Sequence, residues 1–171
     1  FKLTNMIVTS INHNNHHPFP LSKNEDRADD QPLLDAYSQS VTGVFQEVSP
    51  AVVHIGISRK VDGKRRKQAP DQGSGSGFVI SQEGYIVTNS HVVGDADKIR
   101  ITLSNGEAYP AELTGHDPST DLAVIRVDVP YNLKALTFGD SGKLQVGQIA
   151  IAIGSPYGFE QTLTAGIVSA L

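Results

Sequence analysis

Apolar and polar residues alternate through the middle of the chain, which predicts short, half-buried β-strands. The alternation is clearest over residues 51–58 and 99–103, where apolar side chains fall at every second position. Turn signals such as Asn105-Gly106 separate these stretches from further strand candidates at residues 78–80, 85–87, 108–114 and 122–127. Strands that recur about every eight to twelve residues indicate a β-sandwich or a β-barrel.

Before these strands, apolar residues recur with the period of a helix, which predicts one helix over residues 33–48. Pro32 suits the first turn of a helix, and Ser49-Pro50 ends it because the residue before a proline avoids helical backbone angles. Apolar residues spaced by three and four form a single stripe along it, consisting of Leu34, Tyr37, Val41, Val44, Phe45 and Val48. Residues 1–32 lack such a pattern, so we predict a disordered tail or linker there.

A second β-rich region begins after a linker that contains Pro130. Its strand candidates lie at residues 136–138, 149–153 and 162–171. Three strands are too few to close a small barrel or to bury both faces of a sheet. The sequence therefore predicts a tail (1–32), a helix with a first β-barrel (33–128), and a linker with an incomplete second barrel (129–171).

Composition narrows the classes of function. The net charge of −4 does not suit a nucleic-acid-binding protein, and the absence of cysteine rules out disulfides and thiolate chemistry. The glycine-rich stretch 73–77 lacks the Lys-Ser/Thr of a phosphate-binding loop, and nothing else indicates a cofactor. The chain starts at Phe1 rather than Met, so we expect that a signal peptide or membrane anchor could precede it.

One histidine and one aspartate stand where predicted strands meet polar turns. His91 follows the apolar run 85–87 and precedes Val92-Val93, whereas Asp121 directly precedes the strand 122–127. A histidine that exchanges protons needs a rigid mount. A histidine and an aspartate held in this way are two members of a nucleophilic triad. The third member, a serine in a suitable glycine-rich turn, does not occur where the triad requires it.

Other candidates for these two roles are weaker. His54 lies on the strand face opposite the isoleucines, and His116 lies in a polar turn without packed neighbours on both sides. Asp117 precedes a proline and is therefore a turn initiator. We predict that Asp117 shapes the bend that presents Asp121.

Five motifs, in this order along the chain, resemble the HtrA (Deg) family of trypsin-like serine proteases. They are GSGSGFVI (73–80), GYIVTNSHVV (84–93), DPSTDLAV (117–124), AIGSPYG (152–158) and TLTAGIVS (162–169). The resemblance covers roughly residues 34–171. It implies an all-β, chymotrypsin-like fold of two Greek-key β-barrels, the first complete and the second truncated, with an N-terminal helix and the active site between the barrels.

The resemblance also assigns roles to individual residues. His91 matches the general base and Asp121 matches the carboxylate that orients it. The family's nucleophile lies in a Gly-Asn-Ser-Gly-Gly motif after the strand 165–169, and the chain ends at Leu171 before such a motif. We therefore expect an N-terminal portion of a longer protease that is inactive alone. Gly139-Asp140-Ser141-Gly142 spells the nucleophile tetrad of trypsin, but Lys143 replaces the second glycine, and we predict a turn.

The function implied by the resemblance is quality-control proteolysis of unfolded or misfolded proteins. The family works in the bacterial periplasm or cell envelope, or in an organelle, often as a homotrimer with PDZ domains. Two other interpretations remain open at this point. The chain could be a non-catalytic binding module, or it could bind a metal through His13, His16 and His17, although a solvated tail explains these histidines more simply.

Overall fold

The computed structural model describes residues 9–10, 30–59, 71–158 and 161–171. Its elements are β1 (Thr9–Ser10), α1 (Asp30–Val48), β2 (Val52–Arg59), β3 (Asp71–Val79), β4 (Tyr85–Thr88), α2 (Ser90–Val93), β5 (Lys98–Thr102), β6 (Ala108–Asp117), β7 (Leu122–Val127), β8 (Ile149–Gly154) and β9 (Thr162–Ile167), with 3₁₀ turns at Ser49–Ala51 and Ser141–Lys143. Six strands close a barrel in the order β2-β3-β4-β7-β6-β5, and β1, β8 and β9 form a separate antiparallel sheet. The predicted all-β fold with an N-terminal helix is confirmed.

The barrel core follows directly from the alternation in the sequence. Successive side chains of a strand point to opposite faces, so every second residue of β2 and β5 enters the barrel. Ile55 and Ile101 are opposite each other in the register of these two strands. The largest side chains that are 0% exposed in this core are Ile55, Ile86, Ile101 and Ile125. The inward-facing side chains thus form one continuous, closely packed core inside the barrel.

Helix α1 packs outside the barrel, against the second sheet. Val48 and Val52 form a small core with Ile151 and Ile153 of β8. The helix begins at Asp30, three residues before the predicted start at residue 33. Pro32 therefore lies inside the first turn, where its missing N–H is not needed because the first four helical N–H groups have no partner within the helix.

The glycine-rich stretch 73–77 forms the middle of strand β3. The sequence predicts this strand only from residue 78 onward, so the prediction underestimates its length. Gly77 has no room for a side chain, because a Cβ atom would lie 2.8 Å from Ile86 and 2.9 Å from Ile55. The glycine thus allows two core isoleucines to meet above the strand.

Part of the predicted tail is ordered. Thr9 and Ser10 form strand β1 and pair with Ile151 and Ala150 of β8, which corrects the prediction that all of residues 1–32 are disordered. The remainder of the tail up to residue 29, with its three histidines, lies outside the described residues.

In the described ranges, no group of three potential metal-ligating His, Cys, Asp or Glu residues occurs. None of the helices in these ranges has the length and apolar character needed to cross a membrane.

Candidate active site

His91 lies on the one-turn helix α2, which begins two residues after strand β4 ends. The sequence predicted a strand end, and the structure places a short helical turn there instead. Val92 and Val93 of this turn are 5% and 0% exposed and belong to the barrel core. The side chain of His91 remains 41% exposed. The barrel therefore anchors the backbone of His91 and leaves its imidazole accessible.

Asp121 is the last residue of the turn between β6 and β7, and Asp117 organises that turn as predicted. The Asp117 carboxylate accepts hydrogen bonds from the Ser119 hydroxyl at 2.6 Å, the Ser119 backbone N–H at 2.8 Å and the Thr120 hydroxyl at 2.9 Å. These bonds, led by that of the Ser119 hydroxyl, hold the pKa of Asp117 below its usual value because they stabilise the charged form. Asp117 thus closes the turn, whereas the imidazole of His91 is bonded to the other aspartate, Asp121.

Asp121 has an unusual backbone conformation. Its φ of 57° makes it the only non-glycine residue with a positive φ in the described part of the chain. Aspartate tolerates this left-handed region better than most residues. The Asp121 carbonyl accepts the backbone N–H of Ser90 at 3.1 Å, so the backbone of Asp121 is bonded directly to the helix that carries His91.

The imidazole and the carboxylate form a close pair. His91 Nδ1 lies 2.7 Å from Oδ2 and 2.9 Å from Oδ1 of Asp121. The His91 backbone N–H also donates to Oδ1 at 2.9 Å. A carboxylate only accepts, so Nδ1 must carry the proton, and in the neutral ring Nε2 then holds a free lone pair. This arrangement suits a general base whose Nε2 takes a proton from another group.

Asn89 is a further member of this site that the sequence interpretation did not single out. Its side-chain amide donates to the Asp121 carbonyl at 3.0 Å and to Asp121 Oδ2 at 3.2 Å. The only available signal was its position, directly before Ser90-His91 and after an apolar strand. Asn89 Oδ1 is buried and has no hydrogen-bond partner.

The rejected candidates lie elsewhere or contact the site indirectly. His116 Nδ1 is 2.9 Å from the hydroxyl of the buried Ser90, so it contacts the residue beside His91. His54 Nδ1 donates to the Ser155 carbonyl at 2.8 Å, on the outside of the barrel. Ser141 is exposed in its 3₁₀ turn, where Asp140 accepts the N–H of Gly142. Within the described ranges, His91 Nε2 has no hydrogen bond to any protein group, Ser141 included.

The sequence of this chain is also similar to those of known peptidases. The family model described as "Trypsin-like peptidase domain" matches residues 75–171, more than half of the chain. The chain therefore belongs to the trypsin-like peptidase domain family.

Within that family, its relatives carry HtrA and DegP names, which confirms the predicted resemblance. Serine protease HTRA1A of Danio rerio is 42% identical over 129 residues, which cover 75% of this chain and 26% of the relative. Probable periplasmic serine endoproteases, DegP-like, of Chlamydia trachomatis and Hahella chejuensis are 50% and 41% identical, covering 63% and 75% of this chain. The chain spans 21% and 33% of the lengths of these two proteins, roughly a quarter of the curated relatives it matches.

Proposed function

We propose that this chain carries the base and the orienting carboxylate of a serine endopeptidase of the HtrA/Deg type. The observation that supports the proposal most directly is the 2.7 Å contact between His91 Nδ1 and Asp121 Oδ2. In this role Asp121 fixes the imidazole tautomer and stabilises the imidazolium ion, while His91 Nε2 removes the proton from a serine hydroxyl. His91 later returns that proton to the leaving amine.

The nucleophilic serine belongs to the proposal as well. The 171 residues contain no Gly-Asn-Ser-Gly-Gly motif. We propose that the serine lies on a segment beyond Leu171 and approaches His91 Nε2 from the open side of the site. The 41% and 45% exposures of the His91 and Asp121 side chains leave room for that segment and for a peptide. We also propose that the chain divides at residue 128 into a first barrel and an incomplete second barrel.

The biological setting that we propose follows from the relatives. DegP-like relatives are named periplasmic serine endoproteases, so we place the activity in the bacterial periplasm or cell envelope. The substrates would be unfolded or misfolded proteins, and the functional protein would be a homotrimer. No cofactor enters the mechanism, because proton transfer and acyl transfer need only the three side chains and an oxyanion hole.

Hydrolysis of unfolded casein by the full-length product of the encoding gene tests this function. His91→Ala and Asp121→Asn should each lower kcat strongly, by about 10⁴-fold for the aspartate, because the tautomer is no longer fixed. Ser141→Ala is the matched control and should leave activity unchanged. Full activity in His91→Ala would refute the proposal.

The 171-residue chain should be inactive in the same assay, since losing a catalytic serine costs about 10⁶-fold in kcat. Activity of this chain that disappears in Ser141→Ala would instead identify Ser141 as the nucleophile. Binding of casein without hydrolysis, by both the chain and the full-length product, would favour the non-catalytic binding module.

A further inference from the structure

We infer that Asn89 is a positioning residue that holds the Asp121 carboxylate in the orientation required by His91. The inference rests on the proposed function and adds a fourth side chain to the site. Its basis is one amide group that donates to two different oxygens of the same residue, the Asp121 carbonyl at 3.0 Å and Oδ2 at 3.2 Å.

This double contact restrains the carboxylate relative to its own backbone. Rotation of the Asp121 side chain about χ1 or χ2 would move Oδ2 away from Asn89, while the carbonyl would stay in place. The amide therefore couples the position of the carboxylate to the backbone, which is itself fixed by the Ser90 N–H. Oδ2 is also the oxygen closest to His91 Nδ1, so the restraint acts on the atom that binds the imidazole.

The orientation of the amide is determined by its surroundings. If Oδ1 and Nδ2 of Asn89 exchanged places, an oxygen would face two acceptor oxygens of Asp121 and both bonds would be lost. In the orientation present, Oδ1 is buried without a partner. A buried acceptor without a partner does not stabilise the fold. The donor group is therefore the part of the side chain that accounts for an asparagine at this position.

The capping pattern of helix α2 supports the same role. Asn89 occupies the N-cap position, where an asparagine oxygen usually accepts a backbone N–H of the first helical turn. Here Asn89 makes no capping bond, and Asp121 Oδ1 accepts the N–H of His91 instead. Asp121 therefore caps helix α2, and Asn89 in turn positions Asp121.

The expected consequence for catalysis is a change in tautomer population. A carboxylate that is free to rotate fixes the Nδ1–H tautomer of His91 less strictly. The other tautomer carries its proton on Nε2 and cannot accept one from a serine hydroxyl. Asn89 thus acts on the reaction through Asp121 and His91 without touching the peptide.

Asn89→Leu tests the inference, because leucine has a similar shape and no donor. In the full-length product kcat should fall about 10- to 100-fold, as expected for a small misplacement of a catalytic group, with KM unchanged. In the 171-residue chain, ¹⁵N NMR of His91 should show a larger share of the Nε2–H tautomer. Asn89→Asp, which turns a donor into a charged acceptor facing Asp121, should lower kcat further than Asn89→Leu.

The control is Asn105→Leu. Asn105 also donates its amide to a carboxylate on the same barrel, at 2.9 Å to Glu107 Oε2, but away from His91. Its removal should change neither kcat nor the His91 tautomer. Folding of every variant is checked by circular dichroism, and Asn89→Ala replaces Asn89→Leu if the latter does not fold.

Two outcomes distinguish a failure of the Asn89 inference from a failure of the proposed function. A folded Asn89→Leu or Asn89→Ala variant with unchanged kcat and unchanged tautomer would overturn this inference while leaving the proposed function intact. Full casein hydrolysis by His91→Ala would overturn the proposed function, whatever the Asn89 variants do.

Discussion

The closed barrel and the sheet formed by β1, β8 and β9 differ in how completely their strands are paired. Each barrel strand has neighbours on both sides, and Ile55 and Ile125 in its core are 0% exposed. In the second sheet, β9 pairs only with β8 among the described residues, and Ile167 at its end is 67% exposed. Leu171 is 78% exposed. Every barrel strand is paired on both sides around a buried apolar core, whereas in the sheet β9 is paired on one side only among the described residues and ends in an exposed isoleucine.

This difference matters because the His91–Asp121 pair belongs entirely to the barrel. His91 lies just after β4 and Asp121 just before β7, and none of the hydrogen bonds described for the pair comes from β8 or β9. The sheet contacts the barrel through the small apolar core around Val52 and through Ser155, whose N–H donates to the buried Ser76 hydroxyl at 2.8 Å and whose carbonyl accepts from His54. The acid–base pair can therefore be preorganised even where the sheet is labile.

The largest expected contrast is in hydrogen exchange. Amides of residues 78–103 should exchange only through global unfolding, whereas those of 149–170 should exchange through local opening, at least about 10³-fold faster. The exposed apolar edge of β9 should also promote association of the 171-residue chain. Exchange measured by mass spectrometry at low protein concentration checks this. Equal protection of the two ranges in a monomer would remove the distinction between barrel and sheet.

A pair of isoleucine truncations compares the two regions energetically. Ile55→Ala should lower the free energy of unfolding by about 2–5 kcal/mol, since it leaves a cavity in a closed core. Ile167→Ala should change it by no more than about 0.5 kcal/mol, because that side chain is already largely in water. Urea unfolding followed by circular dichroism measures both values, and similar costs would show that β9 is packed as well as the barrel.

Two glycines with positive φ separate backbone strain from crowding. A Cβ atom at Gly84 (φ 92°) would lie 2.1 Å from the Val127 carbonyl oxygen, whereas one at Gly147 (φ 95°) would meet nothing within 4 Å. Both alanine variants incur a left-handed backbone penalty of about 1–2 kcal/mol. Gly84→Ala should cost about 1–3 kcal/mol more because it pushes β7 away. Equal melting temperatures for the two variants would contradict this difference.

The smallest effect concerns the pH dependence of the turn that presents Asp121. The pKa of Asp117 is lowered in the folded state, so its contribution to stability is present above its unfolded pKa of about 4 and is lost as the pH falls through the lower folded value. Asp117→Asn should lack this component. The stability difference between the two proteins should therefore be constant near neutral pH and shrink below about pH 4. Thermal unfolding from pH 2 to pH 7 measures it, and a difference independent of pH would argue against the role of Asp117.

Local patterns made much of the barrel predictable. The alternation around Ile55 and Ile101 fixed which side chains enter the core, because a strand has a period of two. Asp117 could be identified as a turn residue from the proline that follows it. The positions of His91 and Asp121 at the junctions of strands and turns suggested the pair, and the family resemblance supplied the predicted double-barrel fold and the role of each residue.

Other features depend on contacts that no local pattern reveals. The strand character of residues 73–77 arises because β2 pairs with a stretch that has almost no intrinsic preference for a strand. Pairing of Thr9 with Ile151 joins residues far apart in the chain, and nothing near Thr9 indicates it. The role inferred for Asn89 depends on the left-handed backbone of Asp121, which brings the carbonyl and the carboxylate of one residue within reach of one amide.

That left-handed backbone also has a consequence for protein design. Transferring this acid–base pair to another scaffold would require more than a histidine and an aspartate at the right separation. The host would need a tight turn whose last residue has a φ near 57°, followed directly by a strand, next to a helical turn whose N–H groups point at it. A graft onto an ordinary strand end would direct the carbonyl of the aspartate elsewhere, and its carboxylate would have to hold the imidazole without help from the backbone.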